Sequence, residues 1–201
     1  DQSIVPLGQF LAMYGAVEFA RAEDTWGFLA DGSATYENVK GVCQIASEND
    51  KAVTLAAGKT KPSDATLVNF RALRTKVSTA ALGRGASYYI SRSWETVMRS
   101  FNSANDLVFV YRPDGTATLD GFPIVWTEVL QPYSDDAAAA KFLAAFGRLD
   151  FWWFGERGTP RIDTSAQVFF RNDLLATRFI EEIDFDYCAL DAMSVLKTPA
   201  A

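Results

Sequence analysis

Three carboxylates near the end of the chain have a spacing that could serve metal binding. Glu182, Asp184 and Asp186 alternate with Ile183, Phe185 and Tyr187. Side chains two positions apart on a strand share one face, about 6.8 Å from each other. Three such carboxylates could bind Mg²⁺ or Ca²⁺, so a metal-dependent hydrolase is one hypothesis. No further ligands are evident, and the preferred interpretation is a solvated strand face that pairs with arginine.

The sequence excludes several other kinds of site. It contains no histidine, which removes histidine-based serine and cysteine hydrolases and HExxH metalloproteases. Gly83 begins a segment like a dinucleotide-binding loop, but Tyr88 replaces the third glycine and a strand is predicted to follow, so a turn is expected. No GxxxxGK(S/T) phosphate loop is present. We therefore predict no catalytic, cofactor-binding or metal-binding residue and no cofactor.

Composition limits the partners. The chain has 201 residues, of which 49% are hydrophobic and 22% charged, enough for a sizeable core. Its net charge of −6 and scattered basic residues argue against direct nucleic-acid binding. Apolar runs such as 151–154 are far shorter than the roughly 20 residues that cross a bilayer. Cys43 and Cys188 are expected to be reduced thiols.

A long helix is predicted to support the carboxylate strand. From Pro6 to about Leu29, apolar residues recur at steps of three and four. Gly8 and Gly15 each lower helix propensity by about 1 kcal/mol, so the helix should need tertiary support. We expect five of its apolar residues to pack on strands within 161–187: Leu7, Phe10, Leu11, Tyr14 and Val17.

The remaining chain alternates short helices and strands. Residues 33–63 are predicted to form a connection that contains a loop at 47–50 and a short strand at 52–56. A helix over 67–77, capped by Ser63 or Asp64, is predicted next. It is followed by a strand at 88–90, a helix capped by Ser91 or Ser93, and a meander of strands over 107–129. Residues 136–146 fit a helix or a strand. After Gly147 the pattern is mostly sheet, including one long stretch at 174–187. Arg71, Arg74 and Lys76 are expected to form a solvated face.

Several segments, taken in order, resemble the HK97-type major capsid proteins of tailed bacteriophages. They are the first helix with its exit at 22–32, the strand and helix at 88–98, the strand at 119–125, and the closing segments 154–158, 169–173, Arg178 and 195–197. The resemblance implies an α+β fold. A peripheral domain, residues 1–57 and 148–190, would hold a long spine helix on a sheet. An axial domain, residues 58–147 and 191–201, would hold a central mixed sheet flanked by helices.

The resemblance also implies the function. The expected protein is a major capsid protein that self-assembles through pentamers and hexamers into an icosahedral shell around double-stranded DNA. It would be a virion component assembled in the bacterial cytoplasm, with other copies of itself as partners and a scaffold segment or protease in the parent protein. It would touch packaged DNA only indirectly and no membrane. An encapsulin-like or gene-transfer-agent shell protein is the alternative within the fold.

Two local features follow from the resemblance and the strand pattern. In the family an N-terminal arm and an extended loop precede the spine helix; neither is found before Leu7, so Asp1 is expected to be a boundary within a longer protein.

Some relatives form a lysine to asparagine cross-link. Asn172 matches the acceptor, but Phe179 stands where the prototype has a carboxylate, so no cross-link is expected. Trp152 and Trp153 should point to opposite faces of a strand, so at least one is expected in the core; the other either serves an interface or is also buried within the chain.

Overall fold

The computed structural model describes residues 7–83, 85–104, 106–172 and 174–200. The helices are α1 (Leu7–Leu29), α2 (Val42–Glu48), α3 (Leu67–Lys76) and α4 (Glu95–Ser100). The strands are β1 (Ala52–Thr54), β2 (Ser87–Ile90), β3 (Phe109–Tyr111), β4 (Ala117–Leu119), β5 (Phe122–Trp126), β6 (Phe142–Gly147), β7 (Trp152–Glu156), β8 (Arg161–Phe169), β9 (Leu174–Ile180), β10 (Ile183–Tyr187) and β11 (Met193–Lys197). Along these residues no helix is both long and apolar enough to cross a membrane.

A mixed central sheet holds most of the core. Its strand order is β1-β11-β6-β2-β5-β4-β3, with β1 parallel to β11 and β2 parallel to β5. The ambiguous segment 136–146 contains the start of β6, whose side chains from Leu143 to Phe146 are all fully buried. A strand covered on both faces has a continuous apolar run without alternation, so periodicity could not distinguish it from a helix.

Helix α3 packs on this sheet through Phe70 and Leu73, as its spacing predicted. The predicted caps are wrong. Ser63 and Asp64 lie in a separate 3-10 turn, and Thr66 occupies the N-cap position, where Asn69 accepts hydrogen bonds from its backbone N–H and its hydroxyl. A polar residue at each of several neighbouring positions left the sequence without a unique helix start.

The basic face of α3 is not simply solvated, which corrects the expectation for it. Arg71 and Arg74 both pair with Asp120, at distances of 2.7 and 2.8 Å. Asp120 and Gly121 form the turn between β4 and β5 with positive φ angles. The two arginines therefore attach α3 to the predicted meander, which is confirmed as β3, β4 and β5.

The region between α1 and α3 contains more structure than a connection. Helix α2, buried through Val42, Cys43 and Ala46, includes Ser47 and Glu48, which were expected in a loop. Strand β1 pairs with β11 in the central sheet, although the division at residue 57 placed it in the peripheral segment. Short elements of this kind carry too few apolar residues for periodicity to identify them.

The helix after β2 also differs in its cap. A 3-10 turn at Arg92–Trp94 precedes α4, and neither predicted serine caps the helix through its side chain. The hydroxyls of Ser91 and Ser93 lie 3.2 Å apart, and Ser93 accepts a hydrogen bond from the Tyr133 backbone N–H at 2.8 Å. Ser93 is thus used by a tertiary hydrogen bond, which local sequence cannot indicate, and Ser91 contacts Ser93 instead of capping α4.

Two separate ribbons, β7–β10 and β8–β9, form the rest of the fold beside α1. The predicted long stretch 174–187 divides at Glu181 and Glu182, so that β9 pairs with β8 and β10 pairs with β7. The predicted alternation nevertheless holds within β10, where Ile183 and Phe185 are half-buried and the intervening aspartates are exposed. Each half of the stretch thus supports a different part of α1.

Helix α1 is confirmed over its predicted length, but the face predicted to pack is wrong. Phe10, Tyr14 and Val17 are exposed; Leu11 is half-buried, and the side chain of Leu7 lies outside the described residues. The helix instead contacts the ribbons through a line that includes Gly15 and Phe19. The absence of a side chain at Gly15 allows the ring of Phe179 to approach, which a count of apolar residues does not register.

Candidate functional site

The outer face of the β7–β10 ribbon carries the candidate carboxylates. In the antiparallel register Asp186 lies opposite Trp153, and Asp184 lies opposite Gly155. Glu182, just before β10, pairs weakly with Arg157 at 3.7 Å. Across the described part of the chain, no group of three or more histidine, cysteine, aspartate or glutamate side chains is arranged to hold a metal ion. The row has the geometry of a solvated strand face, with one arginine beside it.

The inner face of the same ribbon is aromatic. Phe185 lies between Trp152 and Phe154, with ring centroids 5.3 Å from each. Trp152 also meets Phe28 of α1 edge-on at 5.9 Å. Trp153 points the other way, and 67% of its surface is exposed. The expectation of one inward and one outward tryptophan is confirmed, and the outward one is available for contact.

An acidic cleft of about 710 Å³ separates α1 from the β7–β10 ribbon. Its charged lining includes Arg157 and the carboxylates Glu23, Glu37, Glu156 and Glu181. Partial burial, then a hydrogen bond and charge repulsion from Glu181, raise the pKa of Glu23. The cleft therefore favours protons or cations near Glu23. Among the described lining residues there is neither a nucleophile paired with a base nor a set of oxyanion donors.

A stripe of exposed apolar side chains runs along α1. It consists of Phe10, Met13, Tyr14 and Val17, at the i, i+3, i+4 and i+7 spacing of one helix face, and 57% of Tyr14 is exposed. Phe10 lies about 180° around the helix axis from Phe19, at about 100° per residue. The stripe is thus the face opposite the ribbon contact. The sequence shows the apolar spacing of this helix face, but it does not show which face of α1 packs against the ribbons.

The remaining sequence candidates are brought to no common site. Asn172 is exposed at the end of the β8–β9 ribbon, whereas Phe179 meets Phe19 edge-on at 6.1 Å. Strand β2 begins at Ser87, directly after the glycine turn, so the predicted turn without a helix is confirmed. Cys43 and Cys188 are both free thiols, and full burial raises the pKa of Cys43.

The chain matches the model of the phage capsid family over residues 1–198. Among solved structures it is similar to the capsid of an empty GTA particle, with a TM-score of 0.71 and 20% identity over 100% of this chain and 69% of the other. It is similar to a structure from Microbacterium phage Oxtober96, with a TM-score of 0.71 and 12% identity over 98% and 67%. It also resembles the holo-SrpI encapsulin complex of Synechococcus elongatus, with a TM-score of 0.55 and 14% identity over 96% and 65%. A comparison with curated sequences gives no match.

These comparisons agree with the architecture. The structural similarities, at identities of 20% or less, establish the fold, a central mixed sheet with helices and a long helix beside ribbons. The family model supplies the membership, because it covers nearly the whole chain. The predicted α+β capsid fold of the HK97 type is thereby confirmed. The chain belongs to the phage capsid family and is a shell-forming capsid protein.

Proposed function

We propose that this chain is the major capsid protein of a tailed bacteriophage or prophage. Copies of it associate into the pentamers and hexamers of an icosahedral shell, assembled in the bacterial cytoplasm around a double-stranded DNA genome. The observation that carries the proposal is the exposed apolar stripe of α1, Phe10, Met13, Tyr14 and Val17. Contiguous exposed apolar surface of this kind marks a protein–protein contact, which a neighbouring copy in a shell would supply.

The ribbons support the same proposal. An isolated two-stranded ribbon is at best marginally stable in water, yet β8 is exposed along most of its length. Both of its outer edges are unpaired in the described sheets. Neighbouring copies in a shell would cover such a ribbon. The contact between α1 and Phe179 orients it in the single chain but buries little of its surface.

The two-domain division remains part of the proposal. Helices α1 and α2 with the two ribbons would form the peripheral domain, and the seven-stranded sheet with α3 and α4 would form the axial domain. The proposed boundaries are 1–57 and 148–190, and 58–147 and 191–201, with the first boundary moved to precede β1 because that strand pairs in the central sheet. The chain crosses between the two parts three times under this division.

Contact with packaged DNA is proposed to be indirect. The net charge of −6 opposes approach to a polyanion. Several arginines are already paired within the chain, including Arg71 and Arg74 with Asp120. A shell protein needs only to surround the genome, and these charges fit that role better than phosphate binding.

A gene-transfer-agent or encapsulin-like shell is the second candidate, because solved structures of both kinds share this fold. All three would form closed shells from copies of one chain. The contents of purified particles distinguish them: a phage head would hold one defined genome, a gene-transfer agent would hold mixed host DNA, and an encapsulin-like shell would hold protein.

Expression of the full-length gene in a bacterial host, followed by gradient centrifugation and electron microscopy, tests the proposal. We expect closed shells with pentameric and hexameric units. The double variant Tyr14→Asp, Val17→Asp should fold, as judged by circular dichroism, yet fail to form shells. Val68→Asp on α3 is the matched control, since Val68 is also an exposed helical residue, and it should assemble. Wild-type protein that forms no shells, or a stripe variant that assembles normally, would contradict the proposal.

A further inference from the structure

The outer face of the β7–β10 ribbon combines an exposed indole with carboxylates. Trp153 lies directly opposite Asp186, and the diagonal position belongs to Asp184. The residue opposite Asp184 is Gly155, which adds no side chain; a Cβ there would meet only the Asp184 carbonyl, at 3.7 Å. The face therefore has open space beside the ring of Trp153, bordered by two negative charges.

These two carboxylates have no cation among the described residues. Asp184 and Asp186 each accept one hydrogen bond, from the backbone N–H of Phe185 and Tyr187, at 2.8 and 2.7 Å. The ion pairs of the described chain include Glu182 with Arg157 nearby, but none to either aspartate. Each aspartate therefore keeps a second oxygen accessible to solvent.

At two other places in the chain, an arginine lies between an aromatic ring and a carboxylate and contacts both. The guanidinium of Arg92 lies 5.3 Å from the Trp126 ring centre and pairs with Glu95 at 3.2 Å. Arg99 likewise lies 5.2 Å from the Tyr111 ring and pairs with Glu95. A planar guanidinium can stack on an aromatic face while it donates two hydrogen bonds to a carboxylate, which an ammonium cannot do. Trp153 and Asp186 form the same pair without the arginine.

We propose that this face binds an arginine side chain of a second copy of the chain, with the guanidinium over Trp153 and its N–H groups donating to Asp184 and Asp186. The inference rests on the proposed function, since the shell supplies a neighbouring copy. Charge complementarity selects the occupant. Copies with a net charge of −6 repel one another, and contact is favoured where a basic side chain of one meets an acidic face of the other.

Shell assembly by variants of this face tests the inference. In the shell preparation, the fraction of protein in particles is measured against NaCl concentration. We expect Trp153→Leu and the double variant Asp184→Asn, Asp186→Asn each to weaken association about tenfold, as a lost cation–π or charged contact would. Trp153→Phe, which keeps an aromatic face, should be intermediate. Asp135→Asn, Asp136→Asn removes two exposed charges elsewhere and should behave as wild type.

The outcomes separate this inference from the function on which it rests. Wild-type protein that forms no shells contradicts the proposed function and leaves no neighbouring copy to dock. Wild-type shells with unchanged assembly of all three face variants overturn the docking alone. Equal loss in Trp153→Phe and Trp153→Leu would also overturn it, because the contact would then require the indole shape and not an aromatic face for a cation.

Discussion

The backbone of Gly27 in α1 lies directly against the indole of Trp152. A Cβ added at Gly27 would stand 2.3 Å from Cη2 of that ring, well inside the contact distance of two carbon atoms. Gly15 has the same relationship to Phe179. Strands β7 and β9 thus approach α1 at two glycines. These glycines lower the helix propensity of α1, but they allow the aromatic rings to pack directly against its backbone.

Gly27→Ala should destabilise the protein, although alanine is the better helix former. The new methyl group must displace Trp152, and overpacking of this kind costs about 1–3 kcal/mol. Gly8→Ala is the control, because nothing lies within 4 Å of a Cβ there, and it should be neutral or stabilise by up to about 1 kcal/mol. Urea denaturation measures both; a stabilising Gly27→Ala would show that the ring is free to move.

Phe19→Ala and Tyr14→Ala should differ, although both residues are aromatic and lie on α1. Phe19 is half-buried against Phe179, so its loss should cost about 2–3 kcal/mol. Tyr14 is exposed in the single chain, so its loss should change the free energy of unfolding by less than about 0.5 kcal/mol. This replaces the sequence-based expectation that Tyr14 is a buried core residue. Equal costs in denaturant titrations would restore the original expectation.

Asp120→Asn should destabilise the chain by about 1–2 kcal/mol, since it removes charge from hydrogen bonds donated by Arg71 and Arg74. Asparagine tolerates the positive φ at this position, so the turn should persist. The arginines lower the pKa of Asp120. Its contribution is therefore present above the unfolded pKa of about 3.9 and is lost as pH falls through the lower folded pKa.

The pH dependence of Asp120 can be checked by thermal unfolding. The wild-type and Asp120→Asn melting curves should converge as pH falls below about 4. Asp136→Asn, at an exposed position, serves as the control, and its melting curve should match that of the wild type at each pH. A constant difference between wild type and Asp120→Asn at every pH would show that the effect is steric and not electrostatic.

Glu23→Gln should stabilise the protein near neutral pH, by about 0.5 kcal/mol. Glu23 has a raised pKa because of burial and the neighbouring Glu181, so the folded state binds its proton more tightly than the unfolded state. Its favourable contribution is complete below the unfolded pKa and is lost as pH rises through the raised folded pKa. Melting temperatures from pH 5 to 8 should fall less steeply in Glu23→Gln than in wild type. Glu18→Gln, on the exposed side of α1, should keep the wild-type slope.

Shells of this protein should dissociate to a single monomer band on denaturing gels. Asn172 is exposed, but Phe179, at the position of the prototype's assisting carboxylate, is turned toward Gly15 and Phe19. The side chain of Phe179 has no group that can take a proton from an attacking amine. A ladder of covalent oligomers from purified shells would contradict this expectation.

The sequence by itself determined the class of the protein and the length of its main helix. Apolar spacing from Pro6 to Leu29 specified α1, strand alternation specified β10, and the ordered motifs around 88–98 and 119–125 specified the family. These are local signals, because helix and strand periods are written in consecutive residues. The absence of histidine removed most catalytic alternatives without any structure.

Only the tertiary structure decided which faces meet. It turned the apolar stripe containing Tyr14 outward and placed Gly15 and Gly27 against aromatic rings of the ribbons. It also divided the stretch 174–187 between two ribbons and paired Arg71 with Asp120. The physical reason is common to all of these. A residue's contribution depends on the element that approaches it from a distant part of the chain, and a face that is apolar in one copy can remain exposed until another copy covers it.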